Sequence, residues 1–176
     1  SAVDLKTKSP EDLKEDSGKI LRTLTKVQEA LDLRIPVVVW VTKCDKIAGF
    51  RDYFSGIAGD HILRQQMMGW SAPGGIKALD DRFPAEQLGE HLLGVVDQLK
   101  VRRWSLLDSI NLDSGRSRAD AASSLYSFPD QFAEIIDPLQ QYLSAIFGHS
   151  SKKPPFFRGI YFTSAITEGE ELDRRI

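Results

Sequence analysis

The sequence contains a single cysteine, Cys44, among 176 residues. One cysteine excludes an internal disulfide and is typical of a protein from a reducing compartment. The longest apolar run, residues 37–41, is far shorter than the ~20 residues that a bilayer requires, so we expect no membrane contact from this chain. Basic residues cluster only as short pairs and the net charge is −2, which argues against a nucleic-acid partner because phosphate binding needs a concentrated basic face.

Sequence patterns typical of a metal site and of a phosphate-binding loop are also absent. The histidines His61, His91 and His149 are far apart and unaccompanied by cysteine, so we expect no metal site. The chain has no G-x-x-x-x-G-K-[ST] motif, whose backbone N–H groups and lysine hold nucleotide phosphates and whose hydroxyl binds Mg²⁺. We therefore predict no catalytic residue and no bound cofactor in this chain alone.

The remaining composition is that of a soluble globular domain, with 41% apolar and 27% charged residues. Ser9-Pro10-Glu11-Asp12 is a helix-start signature, and an apolar stripe at helical spacing follows it: Leu13, Ile20, Leu24, Val27 and Leu31. The run Val37–Val41 has no polar alternation, which predicts a central parallel strand covered by helices on both faces. A helix followed by a buried strand indicates an α/β fold.

A long, mostly helical insertion is predicted over residues 48–155. Pro84 begins one helical pattern and Phe128-Pro129 begins another, with Pro138 expected to kink or restart it and Gly148 to end it. Residues 156–163 are aromatic and β-branched, which predicts a second strand, parallel and adjacent or near-adjacent to the first. The chain thus divides into residues 1–47 with the helix, buried strand and following loop, the insertion 48–155, and residues 156–176 with the last strand.

Polar motifs follow both predicted strands, at the edge where open α/β sheets bind ligands. Thr42-Lys43-Cys44-Asp45 matches the Asn/Thr-Lys-x-Asp guanine-specificity motif of GTPases. An aspartate accepts hydrogen bonds from two adjacent N–H donors, which guanine's ring nitrogen and exocyclic amine supply and adenine does not. The methylene stem of Lys43 is expected to lie over the base plane, and the Thr42 side chain to tie the loop to its neighbours by a hydrogen bond.

Thr163-Ser164-Ala165, after the second strand, is similar to the last GTPase motif. There a small residue lets the backbone approach the base, so that its N–H donates to the guanine carbonyl. The candidate guanine-binding residues are therefore Thr42, Lys43, Asp45, Ser164 and Ala165. The alternative is a surface turn in which Lys43 and Asp45 are merely solvated. Cys44 lies beside Lys43, which predicts a lowered thiol pKa.

Together with their flanking residues, these motifs show a family resemblance. Residues 42–54 (TKCDKIAGFRDYF), 128–132 (FPDQF) and 158–173 (RGIYFTSAITEGEELD) resemble the cytoplasmic NTPase-like domain of the IcmF/TssM family, the large inner-membrane component of bacterial type VI secretion systems. The similarity covers roughly residues 32–173. It implies an α/β fold with a partial P-loop GTPase-like parallel sheet, a P-loop and switch regions upstream of Ser1, and GTP with Mg²⁺ in the complete domain.

The resemblance also implies a location and partners. The implied location is the cytoplasm, as a domain of a bacterial inner-membrane protein. The implied partners are other membrane-complex and baseplate proteins of the secretion system. The chain begins without Met and ends on Asp173–Ile176 with no closing element, which is typical of an excerpt. Two residues depart from the pattern, since many small GTPases carry lysine at the position of Ile166 and many family members carry glycine at that of Ala165.

Two functions remain open from the sequence. In the first, the complete protein is a nucleotide switch, and this chain is the C-terminal half that selects guanine. In the second, a degenerate NTPase fold serves as a protein-interaction scaffold without binding nucleotide. The upstream half decides whether the complete protein is an enzyme. A stand-alone module of neither kind requires both motif matches to be accidental.

Overall fold

A computed structural model of the chain describes residues 1–55, 68–71, 83, 85–108, 117–148 and 155–164. Within these ranges the helices are α1 (Ala2–Thr7), α2 (Pro10–Leu31), α3 (Phe50–Ser55), α4 (Ala85–Asp108), α5 (Arg118–Ala133) and α6 (Ile136–Phe147). The strands are β1 (Pro36–Val41), β2 (Gly69–Ser71) and β3 (Phe156–Phe162), and a 3₁₀ turn spans Cys44–Lys46. The fold is therefore mixed α/β, with helices predominating.

The three strands form one mixed sheet in the order β1–β3–β2. β1 and β3 are parallel neighbours, with Val39 opposite Ile160 and Val41 opposite Phe162. This confirms the predicted pairing of the first and last strands, and it brings their carboxyl ends together. β2, which the sequence does not predict, pairs antiparallel with β3. A P-loop GTPase-like sheet remains a prediction, as does the division into residues 1–47, 48–155 and 156–176.

The helices that contact this sheet in the described part of the chain lie on one face of it. The ring of Phe132, on α5, is 4.9 Å from that of Phe162 on β3. The ring of Phe147, on α6, is 5.1 Å from that of Phe157 on β3. Helix α2 packs against α6 and lies beside Val37 and Val39 on the same face.

The prediction that helices cover both faces of β1 is wrong for the described residues. Val37 and Val39 pack against the core, but Val38 and Trp40 point to the other face and are 45% and 54% exposed. The reason is topological, because β1 is an edge strand of the described sheet and the helices around it share a single face. The described residues therefore bury only part of the apolar run of β1.

Helix α2 begins as predicted but buries less than predicted. Ser9 is its N-cap and accepts a hydrogen bond from the Asp12 N–H at 3.1 Å, with Pro10 in the first helical turn. Leu13 is buried and Leu24 packs partly against the core, as expected from the stripe. The other members of the stripe lie outside the core and are exposed, namely Ile20, Val27 and Leu31.

The helical segment after β1 departs from the predicted boundaries. Helix α5 begins at Arg118, capped by the Ser117 hydroxyl, and Pro129 lies inside it rather than at its start. The helix ends four residues later at Ala133, so the backbone hydrogen bond that Pro129 cannot donate is one near the C-terminal end of the helix. Pro138 falls in the first turn of α6, where its missing N–H has no intrahelical partner to lose. Gly148 follows the end of α6, as predicted.

An aromatic cluster joins the helical segment to the sheet. It contains side chains from α3, α5 and β3: Phe50, Tyr53, Phe54, Phe128, Phe132 and Phe162. Tyr53 is fully buried and its hydroxyl donates to the Leu99 carbonyl of α4 at 2.9 Å. Burial raises the pKa of Tyr53 to about 12. The described parts of the three segments that carry the family resemblance therefore meet in one core.

Candidate functional site

The two motifs predicted to read guanine are joined by backbone hydrogen bonds. The Thr163 N–H donates to the Val41 carbonyl at 2.9 Å, and the Cys44 N–H donates to the Thr163 carbonyl at 3.2 Å. The loop after β1 and the residues after β3 therefore lie side by side at the carboxyl edge of the sheet. Ser164 is partly buried next to them, and Ala165 falls outside the described residues.

Lys43 shapes the loop that follows β1. Its backbone is left-handed, with φ 61° and ψ 33°, which costs a non-glycine residue roughly 1–2 kcal/mol. The 3₁₀ turn begins directly after it, with the Lys46 N–H donating to the Lys43 carbonyl at 3.1 Å. This geometry leaves the Lys43 side chain exposed and turns Asp45 inward. The long stem of Lys43 is thus free to lie along an apolar surface while its ammonium remains in water.

Asp45 presents a carboxylate that is only partly satisfied. Its side chain is 7% exposed, and Oδ2 lies 3.6 Å from the ammonium of Lys46. Oδ1 is buried and has no hydrogen-bond partner among the residues that the structure describes. An unsatisfied buried acceptor costs about 1–3 kcal/mol and is stabilised by any donor that reaches it. The solvated surface turn does not account for this burial.

Cys44 supports the loop from beneath. It is 1% exposed, and its Sγ donates to the Val41 carbonyl at 3.3 Å. Burial raises the pKa of its thiol to about 11, although a hydrogen bond from the Thr163 backbone to the sulfur acts in the opposite direction. The predicted lowering of this pKa by Lys43 is wrong, because desolvation disfavours the thiolate. Cys44 is a packing residue rather than a nucleophile.

Thr42 ties the loop to the start of the chain through its backbone. Its carbonyl accepts a hydrogen bond from the Ala2 N–H at 2.8 Å, at the beginning of α1. Helix α1 carries a capping box formed by Ser1 and Asp4, and its residues Ala2 and Leu5 are buried. The sequence analysis does not predict α1, although Ser1 and Asp4 have the spacing of a capping box, which indicates the start of a helix.

Gly49 links the loop to the helical segment and has a conformation that other residues avoid. Its φ is +81°, and a Cβ atom there would lie 2.1 Å from the Ser124 carbonyl oxygen of α5. We expect Gly49→Ala to destabilise the domain by about 2 kcal/mol, because both the positive φ and the contact are unfavourable. Gly94→Ala is the matched control. No atom lies within 4 Å of its added Cβ, and removing a helix-interior glycine stabilises by about 0.5–1 kcal/mol. Equal effects in thermal unfolding would contradict the packing of Gly49.

No metal centre accompanies these motifs in the described ranges. They contain no group of three or more His, Cys, Asp or Glu side chains that could hold a metal ion. Nor do they contain a helix long and apolar enough to cross a bilayer.

Comparison with known proteins places the sequence in a family. The whole chain, residues 1–176, matches the IcmF-related N-terminal domain. The chain belongs to the IcmF-related N-terminal domain family. This confirms the family resemblance carried by the three motif segments.

A curated relative of this IcmF-related domain is the type VI secretion system component TssM1 of Pseudomonas aeruginosa. It is 29% identical over 157 residues, which cover 87% of the chain and 13% of TssM1. The chain thus spans only a small part of the length of this relative. No solved structure matches the chain.

Proposed function

We propose that this chain is the C-terminal, base-recognition half of a GTPase-like domain in a type VI secretion membrane-complex component. Its role would be in protein secretion. The name of the relative TssM1 supports the secretion role. The same proposal locates the domain in the bacterial cytoplasm, as part of an inner-membrane protein whose partners are other membrane-complex and baseplate proteins.

The observation that carries the nucleotide proposal is the Asp45 carboxylate. It lies at the carboxyl edge of two parallel strands, turned inward, with Oδ1 unpartnered among the described residues. Guanine offers two adjacent N–H donors, and in our proposal the Asp45 carboxylate turns outward to accept both, which forms a charge-assisted pair. The exposed Lys43 stem is suited to cover the base. Ser164 follows β3 beside this loop. Ala165 lies outside the described residues, and in our proposal its backbone N–H donates to the guanine carbonyl.

GTP with Mg²⁺ needs groups that this chain does not provide. Phosphates are held by a glycine-rich loop with its lysine, and the metal by a hydroxyl and an aspartate. In our proposal those groups belong to an upstream half of the full-length protein. The residues of this chain contribute selection and orientation of the base, while hydrolysis depends on the upstream half.

Nucleotide titration of the full-length protein tests this proposal. We expect binding of GTP to be favoured over ATP, because adenine lacks the paired donors that Asp45 accepts. The chain of residues 1–176 should bind GTP only weakly, with a Kd on the order of millimolar, since phosphate contacts supply much of the affinity. Low-micromolar GTP binding by residues 1–176 would show that this is not a half-site.

A second candidate function, a protein-interaction scaffold, is favoured by an exposed aromatic patch on α4 and α5. The Trp104 and Tyr126 rings are 59% and 42% exposed and 5.7 Å apart. The Arg103 guanidinium lies 4.1 Å from the Tyr126 ring centroid and 5.4 Å from that of Trp104. Trp, Tyr and Arg are the residues that dominate binding energy at protein interfaces. In the sequence, Trp104 lies near the apolar stripe of its helix (Leu88, Leu92, Val95 and Leu99), which predicts burial, but in the structure it is exposed.

A single substitution separates the scaffold from the nucleotide function. If the patch docks a secretion-system partner, Trp104→Ala should weaken that binding by about 10-fold or more, equivalent to about 1.4 kcal/mol, and should reduce secretion in cells. Its unfolding free energy and GTP affinity should match wild type, because the ring is on the surface. Leu31→Ala, an exposed apolar site on α2, is the control and should leave secretion unchanged. Unaltered secretion in Trp104→Ala would remove the support for this patch.

A further inference from the structure

Helix α4 presents to solvent a face that combines carboxylates with large apolar side chains. Four exposed carboxylates belong to it: Glu86, Glu90, Asp97 and Asp108. Three apolar side chains lie among them and are each more than half exposed, namely Leu93, Val101 and Trp104. With 3.6 residues per turn, these seven positions lie within about 80° of one another around the helix. We call these seven residues the α4 face.

The cations beside the α4 face do not balance its carboxylates. The ammonium of Lys100 lies 3.6 Å from one carboxylate oxygen of Asp130, and the Arg103 guanidinium lies 3.3 Å from the other. Both cations are therefore engaged by α5, and the Arg103 side chain is only 14% exposed. Within the described part of the chain, none of the four carboxylates of the α4 face takes part in an ion pair. The surface that a partner would meet is thus acidic.

The apolar anchors at the carboxyl end of this face are held in place by Arg103. Its guanidinium lies 4.1 Å from the ring centroid of Tyr126 and donates to the Tyr126 carbonyl at 3.3 Å. The same group lies 5.4 Å from the ring centroid of Trp104. Rings that are ordered before a partner arrives lose less side-chain entropy on binding, so this arrangement favours a binding role over a passive surface.

We propose that the α4 face binds a basic amphipathic helix of a partner protein. In this complex, apolar side chains of the partner pack against Leu93, Val101 and Trp104, and its lysine or arginine side chains pair with the carboxylates. This inference rests on the scaffold function proposed above and adds the chemistry of the partner. Charge complementarity fixes the sign of the partner's charge. A helix laid along α4 has the same period as α4, so these contacts repeat over the roughly 33 Å from Glu86 to Asp108.

The acidic charge of the α4 face also excludes other classes of partner. Nucleic acids present phosphates, and the cytoplasmic leaflet of a membrane presents anionic headgroups. A row of carboxylates repels both, even though exposed Trp and Tyr rings are common where proteins meet membranes or single strands. A protein segment that carries both cations and apolar side chains matches the two components of this face.

Binding of designed peptides to the full-length protein tests the charge and the anchors separately. The probe is an amphipathic helix of leucine and lysine about 20 residues long, and its counterpart has glutamate in place of lysine. We expect the Glu90→Lys/Asp97→Lys variant to weaken binding of the leucine–lysine peptide by about 10-fold or more and to strengthen binding of the leucine–glutamate peptide. Trp104→Ala should also weaken binding of the leucine–lysine peptide by about 10-fold or more.

The matched control is Glu11→Lys/Glu29→Lys, which makes the same charge change at two exposed carboxylates of α2. It should leave the affinity for the leucine–lysine peptide within about 2-fold of wild type, because these sites lie outside the α4 face. Equal weakening in the control, an unaltered affinity in Trp104→Ala, or a wild type that binds neither peptide would overturn the proposal. So would a wild type that binds the leucine–glutamate peptide as tightly as the leucine–lysine one.

Secretion in cells separates this inference from the scaffold function on which it rests. We expect secretion to fall in both Trp104→Ala and Glu90→Lys/Asp97→Lys. A fall in Trp104→Ala beside normal secretion in Glu90→Lys/Asp97→Lys would keep the scaffold and overturn the basic partner. Normal secretion in both variants, beside peptide binding that responds as expected, would overturn the scaffold function and leave the chemistry of the α4 face standing.

Discussion

Replacing Phe132 by alanine is expected to destabilise the domain by about 3–5 kcal/mol. Phe132 is fully buried, with its ring 6.0 Å from that of Phe128 and 4.9 Å from that of Phe162. It joins the helical layer to β3, the strand that positions Thr163 and Ser164. The cavity left by the ring is enclosed by other aromatic side chains and cannot collapse fully. Denaturant unfolding followed by circular dichroism measures the loss.

Tyr126→Ala is the matched control for this substitution. It removes an aromatic ring from the same helix, but Tyr126 is 42% exposed. We expect a cost below about 1 kcal/mol, as for other surface changes. Similar losses in the two variants, or a loss below about 1 kcal/mol for Phe132→Ala, would contradict the account of the aromatic cluster.

Much of the sheet could be predicted from local residue patterns. The β-branched run 37–41 and the aromatic residues 156–163 predict strands, and the polar motif after each predicts that their ends converge. The pairing of β1 with β3 confirms this. Burial of β1 on both faces could not be predicted correctly, because an apolar run reflects the environment of the complete sheet. Val38 and Trp40 are exposed here because the described helices occupy one face only.

Helix boundaries were harder to predict because two start signals compete. Phe128-Pro129 is typical of a first turn, but the Ser117 hydroxyl accepts the Asp120 N–H at 3.1 Å and begins α5 earlier. Packing of Phe128 and Phe132 in the aromatic cluster keeps the chain helical through Pro129. Tertiary contacts therefore override the local helix-start signal.

Residue types and spacing give the candidate site but not its environment. The loop that carries Thr42, Lys43 and Asp45 lies beside Thr163 and Ser164, while Ala165 lies outside the described residues. Guanine binding by these residues stays a prediction. The burial of Cys44, the left-handed backbone of Lys43 and the unpartnered Oδ1 of Asp45 depend on contacts with β3 and the 3₁₀ turn. Such contacts join residues more than 100 positions apart, as in the bond from Cys44 to Thr163, and no local pattern encodes them.

Asp45→Asn is expected to weaken GTP binding by the full-length protein by about 1–3 kcal/mol. The substitution replaces a carboxylate that accepts two donors with an amide that presents its own N–H to one of them. Binding of xanthosine triphosphate should improve, because its base has a carbonyl acceptor where guanine has its amine. A general loss of stability weakens both ligands alike, so opposite changes separate recognition from misfolding.

Two lysine variants are the controls for Asp45→Asn. Lys46→Gln removes the ammonium that lies 3.6 Å from Asp45 but keeps the carboxylate, so the preference for GTP should not change. Lys43→Ala should lower the affinity for both nucleotides, since packing of the stem over the base does not depend on the exocyclic group. A changed preference in Lys46→Gln would assign the effect to the ion pair instead.

The ratio of the Kd for xanthosine triphosphate to the Kd for GTP, in wild type and Asp45→Asn, tests base recognition most directly. We predict that wild type prefers GTP and that the substitution shifts the ratio toward xanthosine triphosphate by about 100-fold, equivalent to about 2.8 kcal/mol. A wild-type protein without preference for GTP over ATP, or a ratio that the substitution leaves unchanged, would contradict guanine recognition by Asp45.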